Sequence, residues 1–83
     1  MAEHTIIISP AARADRHDAR LAGSDQYLVE GTATPLRDCA LTLLAGGLAD
    51  ESDVIVLRFA GSDRDILRCG LGYAVELTTE DAA

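Results

Sequence analysis

The sequence contains one clear amphipathic helix, and this helix limits the folds that the chain can adopt. Thr34 and Pro35 resemble a helix start, because threonine is a common N-cap and proline is favoured at the first helical position. The apolar residues that follow have the spacing of a helix face packed on a core: Leu36, Cys39, Ala40, Leu43 and Leu44. Gly46 and Gly47 end this pattern. The spacing therefore predicts a helix over 34–45.

Short strand patterns lie on both sides of this helix. Residues 5–8 are β-branched and apolar, and the run stops at Pro10 because proline cannot donate to a strand ladder. Segments 17–22 and 26–30 flank a Gly-Ser-Asp turn, which predicts a hairpin. Residues 54–59 read VIVLRF, which is apolar enough for a strand in the middle of a sheet with the helix packed across it.

The segment 66–77 fits two different structures. As a strand, it alternates apolar residues with small or charged ones. As a helix, it would begin after the capping-box pair Ser62 and Asp65, and a second set of apolar residues would form the buried stripe. Gly70 and Gly72 cost a helix about 1 kcal/mol each, and they also weaken a strand. The alternation favours the strand, and the helix stays open as the alternative.

These patterns together predict one α+β domain over residues 1–83. We expect a small single-layer antiparallel β-sheet of about four or five strands, packed against one main helix, with a frayed tail at 78–83. A chain of 83 residues buries roughly 63% of its unfolded surface, which supports one thin core. Apolar residues make up 48% and charged residues 25%, a composition typical of globular proteins and not of disordered ones.

The charge balance indicates what kind of partner the chain can bind. Fourteen acidic residues against seven basic ones give a net charge of −7. This balance disfavours direct binding of nucleic acid or anionic membranes and favours a protein partner with a basic surface. The sequence has neither an apolar run of membrane-spanning length nor the pattern of a secretory leader. All seven basic residues are arginine, which is typical of proteins from GC-rich bacterial or phage genomes. We therefore expect a cytoplasmic protein of a bacterial cell, either a monomer or a homodimer.

Residues that could support catalysis or metal binding are scattered. Without an export signal, Cys39 and Cys69 are expected to be reduced thiols rather than a disulfide. His4 and His17 lack the spacing of metal ligands, and no serine lies in a nucleophile elbow. We expect no catalytic residues, no metal and no cofactor, and therefore a protein that is not an enzyme.

One short arm of the chain is locally basic. This arm carries Arg13, Arg16, His17 and Arg20. Such a group of basic side chains would suit the binding of a phosphate or a carboxylate. Aspartates alternate with these arginines, so the pattern favours a solvated face of mixed charge.

The acidic residues that are the candidate partner-binding residues fall into two loops. One loop carries Asp50, Glu51 and Asp53, and the other carries Asp63 and Asp65. If the final segment pairs with strand 54–59, these loops lie at opposite ends of that strand and cannot form one metal site. Reversing the charges of either loop is expected to weaken partner binding without unfolding the domain.

A six-residue pattern occurs twice in the chain. The sequence RLAGSD at 20–25 returns as RFAGSD at 58–63. Glycine, serine and aspartate all favour tight turns, so the repeat predicts that two strands end in the same kind of turn.

Two resemblances accompany these patterns. The run TPLRDCALTLLAG at 34–46, together with Arg58, 61–63, 67–68 and 77–78, resembles short uncharacterised proteins encoded in alphaproteobacterial genomes and implies no functional residues. In size, acidity and lack of catalytic motifs, the chain is similar to phage-encoded anti-defence proteins, anti-CRISPR proteins in particular. This second resemblance implies binding to a nucleic-acid-handling complex such as a CRISPR effector subunit.

Three functions are consistent with the sequence. The first is a non-enzymatic inhibitor that binds a CRISPR–Cas type defence complex through its acidic loops. The second is a bacterial adaptor or regulatory subunit that pairs with a second copy through an exposed sheet edge. The third is a small-ligand or metal-binding domain.

Overall fold

The computed structural model describes residues 2–76 and shows five strands and two helices. The elements in chain order are β1 (Glu3–Pro10), β2 (His17–Leu21), β3 (Tyr27–Thr32), α1 (Pro35–Ala45), β4 (Val54–Phe59), β5 (Asp65–Gly70) and α2 (Leu71–Glu76). The predicted α+β class, with a sheet of five strands and one main helix, is confirmed. The predicted tail at 78–83 lies outside the described residues.

The five strands form one sheet in the order β3-β2-β1-β4-β5. Strand β1 pairs antiparallel with β2 on one side and parallel with β4 on the other. The sheet is therefore mixed, whereas the sequence predicted an antiparallel one. Strand β4 lies between β1 and β5, which confirms its predicted interior position.

Both helices pack on the same face of the sheet and close a single core. The fully or nearly buried residues that form one cluster there are Ile6, Ile8, Ala19, Leu36, Cys39, Ala40, Leu43, Ile55, Leu57, Leu71 and Ala74. Helix α1 contacts β1, β2 and β3, and α2 contacts β4 and β5. The helix that covers β4 is thus α2, and the sequence had assigned this role to helix 34–45.

The predicted helix 34–45 is confirmed as α1, which follows Thr34 at its N-cap position. The hydroxyl of Thr32 accepts a hydrogen bond from the Thr34 N–H and donates one to the Asp38 carboxylate. Asp38 also lies where the helix dipole favours a negative charge. At the other end Gly47 adopts a positive φ of 71°, a conformation that glycine reaches without strain.

The C-terminal segment contains both of the structures that the sequence left open. Its first part is β5, which runs antiparallel to β4, and the chain turns into α2 after Gly70. Helix α2 starts where the N–H groups of Leu71 and Gly72 donate to the backbone of the loop before β4, at the carbonyls of Asp53 and Glu51. These contacts with a distant loop start the helix, and no local pattern in 66–77 contains them.

The repeated RxAGSD pattern forms the same turn twice. Gly23 and Gly61 have φ values of 86° and 83°. In each turn the serine N–H donates to the carbonyl of the residue three positions earlier. Ser24 donates to Leu21, and Ser62 donates to Phe59. Because only the third turn residue has a positive φ, both turns have type II geometry.

Candidate functional site

The two acidic loops lie at opposite ends of β4. The loop with Asp50 and Glu51 precedes Val54, and the loop with Asp63 follows Phe59. This confirms the arrangement expected from pairing of the final segment with 54–59. The two loops form separate surfaces, and each has different surroundings.

Asp53 is held inside the structure by three donors. Its carboxylate accepts hydrogen bonds from the Ala2 N–H at 3.0 Å and from the Asp50 N–H at 3.0 Å. His4 Nε2 lies 2.9 Å from the second carboxylate oxygen and donates to it, since an ionised carboxylate can only accept. Asp53 therefore connects the start of β1 to the loop before β4 and is almost completely buried. Asp53 is the only one of the five candidates that is buried.

These donors stabilise the charged form of Asp53. The hydrogen bond from His4, followed by those from the Ala2 and Asp50 backbone, holds the pKa of Asp53 well below its ordinary value of 3.8. The unfolded chain therefore binds a proton at Asp53 more readily than the folded chain does.

Acid is expected to destabilise the domain through Asp53. Because the folded-state pKa is depressed, this contribution is fully present above the ordinary value of 3.8 and is lost as the pH falls below it. Thermal melts at pH 7, 5, 4 and 3 should show a fall in melting temperature concentrated below pH 4. An Asp53→Asn variant should lose part of that pH dependence, and an unchanged pH profile in the variant would contradict the assignment.

Asp50 and Glu51 project from a loop that is fixed by its own backbone. The Asp50 carboxylate accepts hydrogen bonds from the Ser52 N–H at 3.0 Å and the Ser52 hydroxyl at 2.6 Å, and these lower its pKa. The Glu51 carbonyl accepts a hydrogen bond from the Gly72 N–H at 3.2 Å. None of the hydrogen bonds within residues 2–76 uses the Glu51 carboxylate, which lies on an exposed residue. The loop thus presents two charged carboxylates on a fixed backbone.

Two large apolar side chains border this acidic loop. Leu48, two residues before Asp50, is 61% exposed, and Tyr73, beside Gly72 in α2, is 62% exposed. An added Cβ at Gly72 would lie 3.5 Å from the Glu51 carbonyl oxygen, so α2 and the loop are in close contact. We call the surface formed by Leu48, Asp50, Glu51 and Tyr73 the acidic end. Tyrosine is one of the residues that are enriched at protein-binding surfaces.

The remaining two candidates have basic neighbours. Asp65 contacts Arg58 at 2.6 Å and Arg68 at 3.9 Å. Asp63 is exposed, but it adjoins Arg64 in the same loop. The charges at this end of β4 are therefore largely balanced locally.

The arginines are concentrated away from the acidic end. Because β1, β3 and β4 all run in one direction, their starts lie at one end of the sheet and their ends at the other. Five of the seven arginines lie on the loops and element ends at the far end: Arg13, Arg16, Arg37, Arg58 and Arg64. Six acidic residues lie at the same end and nearly balance these arginines: Asp15, Asp18, Glu30, Asp38, Asp63 and Asp65. Among residues 2–76, most of the net negative charge is therefore at the acidic end.

The basic arm forms a shallow cleft of about 510 Å³ at this far end. Arg13 and Arg16 line the cleft together with Asp18 and Glu30. Arg20 is directed elsewhere, because its guanidinium donates to the Ser24 carbonyl at 3.1 Å. The expected mixture of charges is confirmed in this cleft.

Cys39 and Cys69 are free thiols in the described structure. Burial, and then the nearby Asp38, raise the pKa of the Cys39 thiol to about 12, and burial also raises the pKa of Cys69. Both thiols are therefore protonated at neutral pH, and the thiolate is the nucleophilic form. Among residues 2–76, no group of three or more histidine, cysteine, aspartate or glutamate side chains is arranged to hold a metal ion. Neither helix of the described chain is long and apolar enough to cross a membrane.

The chain matches no family model, none of the curated proteins and none of the solved structures with which it was compared.

Proposed function

We propose that this domain is a non-enzymatic inhibitor that binds a nucleic-acid-handling defence complex of the CRISPR–Cas type. The acidic end carries the interaction, and it enters a basic groove that otherwise binds nucleic acid. The observation that supports this proposal is the exposed Asp50 and Glu51 pair, which a fixed loop presents beside Leu48 and Tyr73. Asp53 supports the loop from inside and does not contact the partner.

The charge distribution favours one orientation of binding. The five arginines at the far end are balanced by six carboxylates, so a basic surface is attracted more strongly to the acidic end. Complementary charge accelerates association and selects the orientation, while its effect on affinity depends on how fully the charges are desolvated. Leu48 and Tyr73 add apolar area, which usually provides most of the affinity at such contacts.

Substitutions at the acidic end are expected to reduce inhibition. Glu51→Lys and Tyr73→Ala should each weaken binding by at least about tenfold, because each removes a central contact. The matched control is Asp63→Lys, which makes the same change of charge in the loop at the other end of β4. The measurement is DNA binding by purified guide-loaded CRISPR effector complexes, both single-protein and multi-subunit, with increasing amounts of each variant.

This experiment tests the proposed function and the proposed contact surface separately. Inhibition of at least one complex, reduced by Glu51→Lys and Tyr73→Ala and retained by Asp63→Lys, supports both. If no effector complex loses DNA binding at a large excess of the wild-type domain, the proposed function is wrong. If inhibition is equal for all variants, the function stands and the acidic end is not the contact surface.

A further inference from the structure

One side of the cleft at the far end of the sheet is a bulge in the β2–β3 pair. Between two paired positions of these strands, Asp18 alone lies opposite two residues of β3, Glu30 and Gly31. Gly31 has a positive φ of 64°, and its N–H donates to the Asp18 carboxylate at 2.8 Å. The bulge thus places two carboxylates, those of Asp18 and Glu30, on the same side of the cleft.

The other side of the cleft is the loop 11–16, which carries two arginines. Its backbone closes on itself, because the Ala11 N–H donates to the Arg16 carbonyl and the Arg16 N–H donates to the Arg13 carbonyl, both at 3.1 Å. The Arg16 guanidinium reaches across to the Gly31 carbonyl at 3.5 Å. Both Arg13 and Arg16 line the cleft.

The opposite charges of the two sides do not pair with each other. Within residues 2–76, the carboxylate that lies at ion-pairing distance from Arg16 is that of Asp15, at 3.9 Å, and Asp15 is outside the cleft lining. Arg13 has no ion-pair partner in this part of the chain, and the Nε of Arg16 has no hydrogen-bond partner there. The cleft therefore has a positive side and a negative side with a space between them.

This separation of charge selects the class of ligand. A simple anion is attracted by the two arginines but repelled by Asp18 and Glu30, and a simple cation meets the reverse. A molecule with a negative group and a positive group meets an opposite charge on each side. The volume of about 510 Å³ lies within the range of small-molecule sites.

We propose that this cleft binds a small zwitterion with a carboxylate and an ammonium group, such as a free amino acid. The ligand carboxylate accepts hydrogen bonds from the guanidinium groups of Arg13 and Arg16, which match its geometry. The ligand ammonium donates to the Glu30 carboxylate. Asp18 keeps its bond to Gly31 and adds negative charge on the ammonium side.

This site is independent of the proposed function. Its residues lie at the opposite end of the strands from the acidic end, so failure of either proposal leaves the other standing.

The test is a ligand titration of the isotope-labelled domain, followed by the NMR shifts of its backbone amides. The zwitterions are free alanine, γ-aminobutyrate and ε-aminocaproate, whose two charges are progressively further apart. Butyrate and butylamine, which carry one charge each, are the matched controls. We expect at least one zwitterion to give saturable shifts at 11–16 and 30–31, with a Kd at least about tenfold lower than that of either control.

Two pairs of variants locate the contacts of the ligand. Arg13→Ala and Glu30→Gln each remove one charge of the cleft and should raise the Kd of the zwitterion at least about tenfold. Arg64→Ala and Glu76→Gln make the same changes at exposed residues outside the cleft and should leave the Kd within about twofold. Circular dichroism verifies that each variant is folded.

Three results would overturn the proposal. The first is the absence of saturable shifts at 11–16 and 30–31 with all three zwitterions up to about 50 mM. The second is binding of butyrate or butylamine as tight as that of the zwitterions, which would show a site for a single charge. The third is a folded Arg13→Ala or Glu30→Gln variant that binds as well as the wild type.

Discussion

Replacing Leu43 with alanine is expected to lower the free energy of unfolding by about 2–5 kcal/mol. Leu43 is 0% exposed and lies in the last turn of α1, within the core cluster that includes residues of the strands and of α2. Its loss leaves a cavity that a thin core can fill only partly. Since small domains have total stabilities of about 5–15 kcal/mol, this change removes a substantial part of the total. Urea denaturation followed by circular dichroism measures the effect.

Leu41→Ala is the matched control for this prediction. Leu41 lies on the same helix, two residues away, and is 37% exposed. The same truncation there should cost about 1 kcal/mol, because Leu41 is partly in solvent and less buried area is lost than at Leu43. Equal losses at the two positions would show that α1 does not pack in the observed orientation.

Replacing Asp53 with asparagine is expected to lower the melting temperature by about 5–10 °C at pH 7. The substitution removes the negative charge and directs an amide NH2 group towards a set of donors: the N–H groups of Ala2 and Asp50 and the ring of His4. The start of β1 would then separate from the loop before β4. Hydrogen exchange at the Ala2 and Asp50 amides should become faster in the variant.

Glu51→Gln is the control, since it changes a neighbouring carboxylate on an exposed residue of the same loop. Its melting temperature should stay within about 2 °C of the wild type. A comparable drop in both variants would indicate a general effect of charge and not the specific role of Asp53. The comparison also matters for binding studies, because reversing Asp53 together with Asp50 and Glu51 would mix loss of folding with loss of contact.

Local patterns predicted the parts of the fold that local interactions determine. The apolar spacing and flanking glycines identified α1, and the Gly-Ser-Asp turn identified the β2–β3 hairpin. The parallel pairing of β1 with β4 joins residues about fifty positions apart, and no local pattern records such a choice of neighbour. The segment 66–77 was ambiguous because its two parts have different partners, β4 for the strand and α1 for the helix.

The candidate site was predictable only in part, because it also depends on contacts between residues that are distant in the chain. Exposure of Asp50 and Glu51 follows from their place in a short polar loop. The buried position of Asp53 depends on Ala2 and His4, which are 51 and 49 residues away in the chain. Tyr73 lies in the ambiguous segment 66–77, where α2 buries Leu71 and Ala74 and leaves Tyr73 exposed. Its exposure became apparent only once the helix was placed on the sheet.

The parallel β1–β4 pair has a consequence for synthesis of the chain. Strands β1, β2 and β3 are adjacent in sequence and in the sheet, so they can pair soon after they leave the ribosome. The second edge of β1 stays bare until residues 54–59 have been made, because only β4 covers it. More than half of the chain must therefore emerge before the central strand has both neighbours. During that interval α1 is the only helix of the described structure that can cover Ile6 and Ile8.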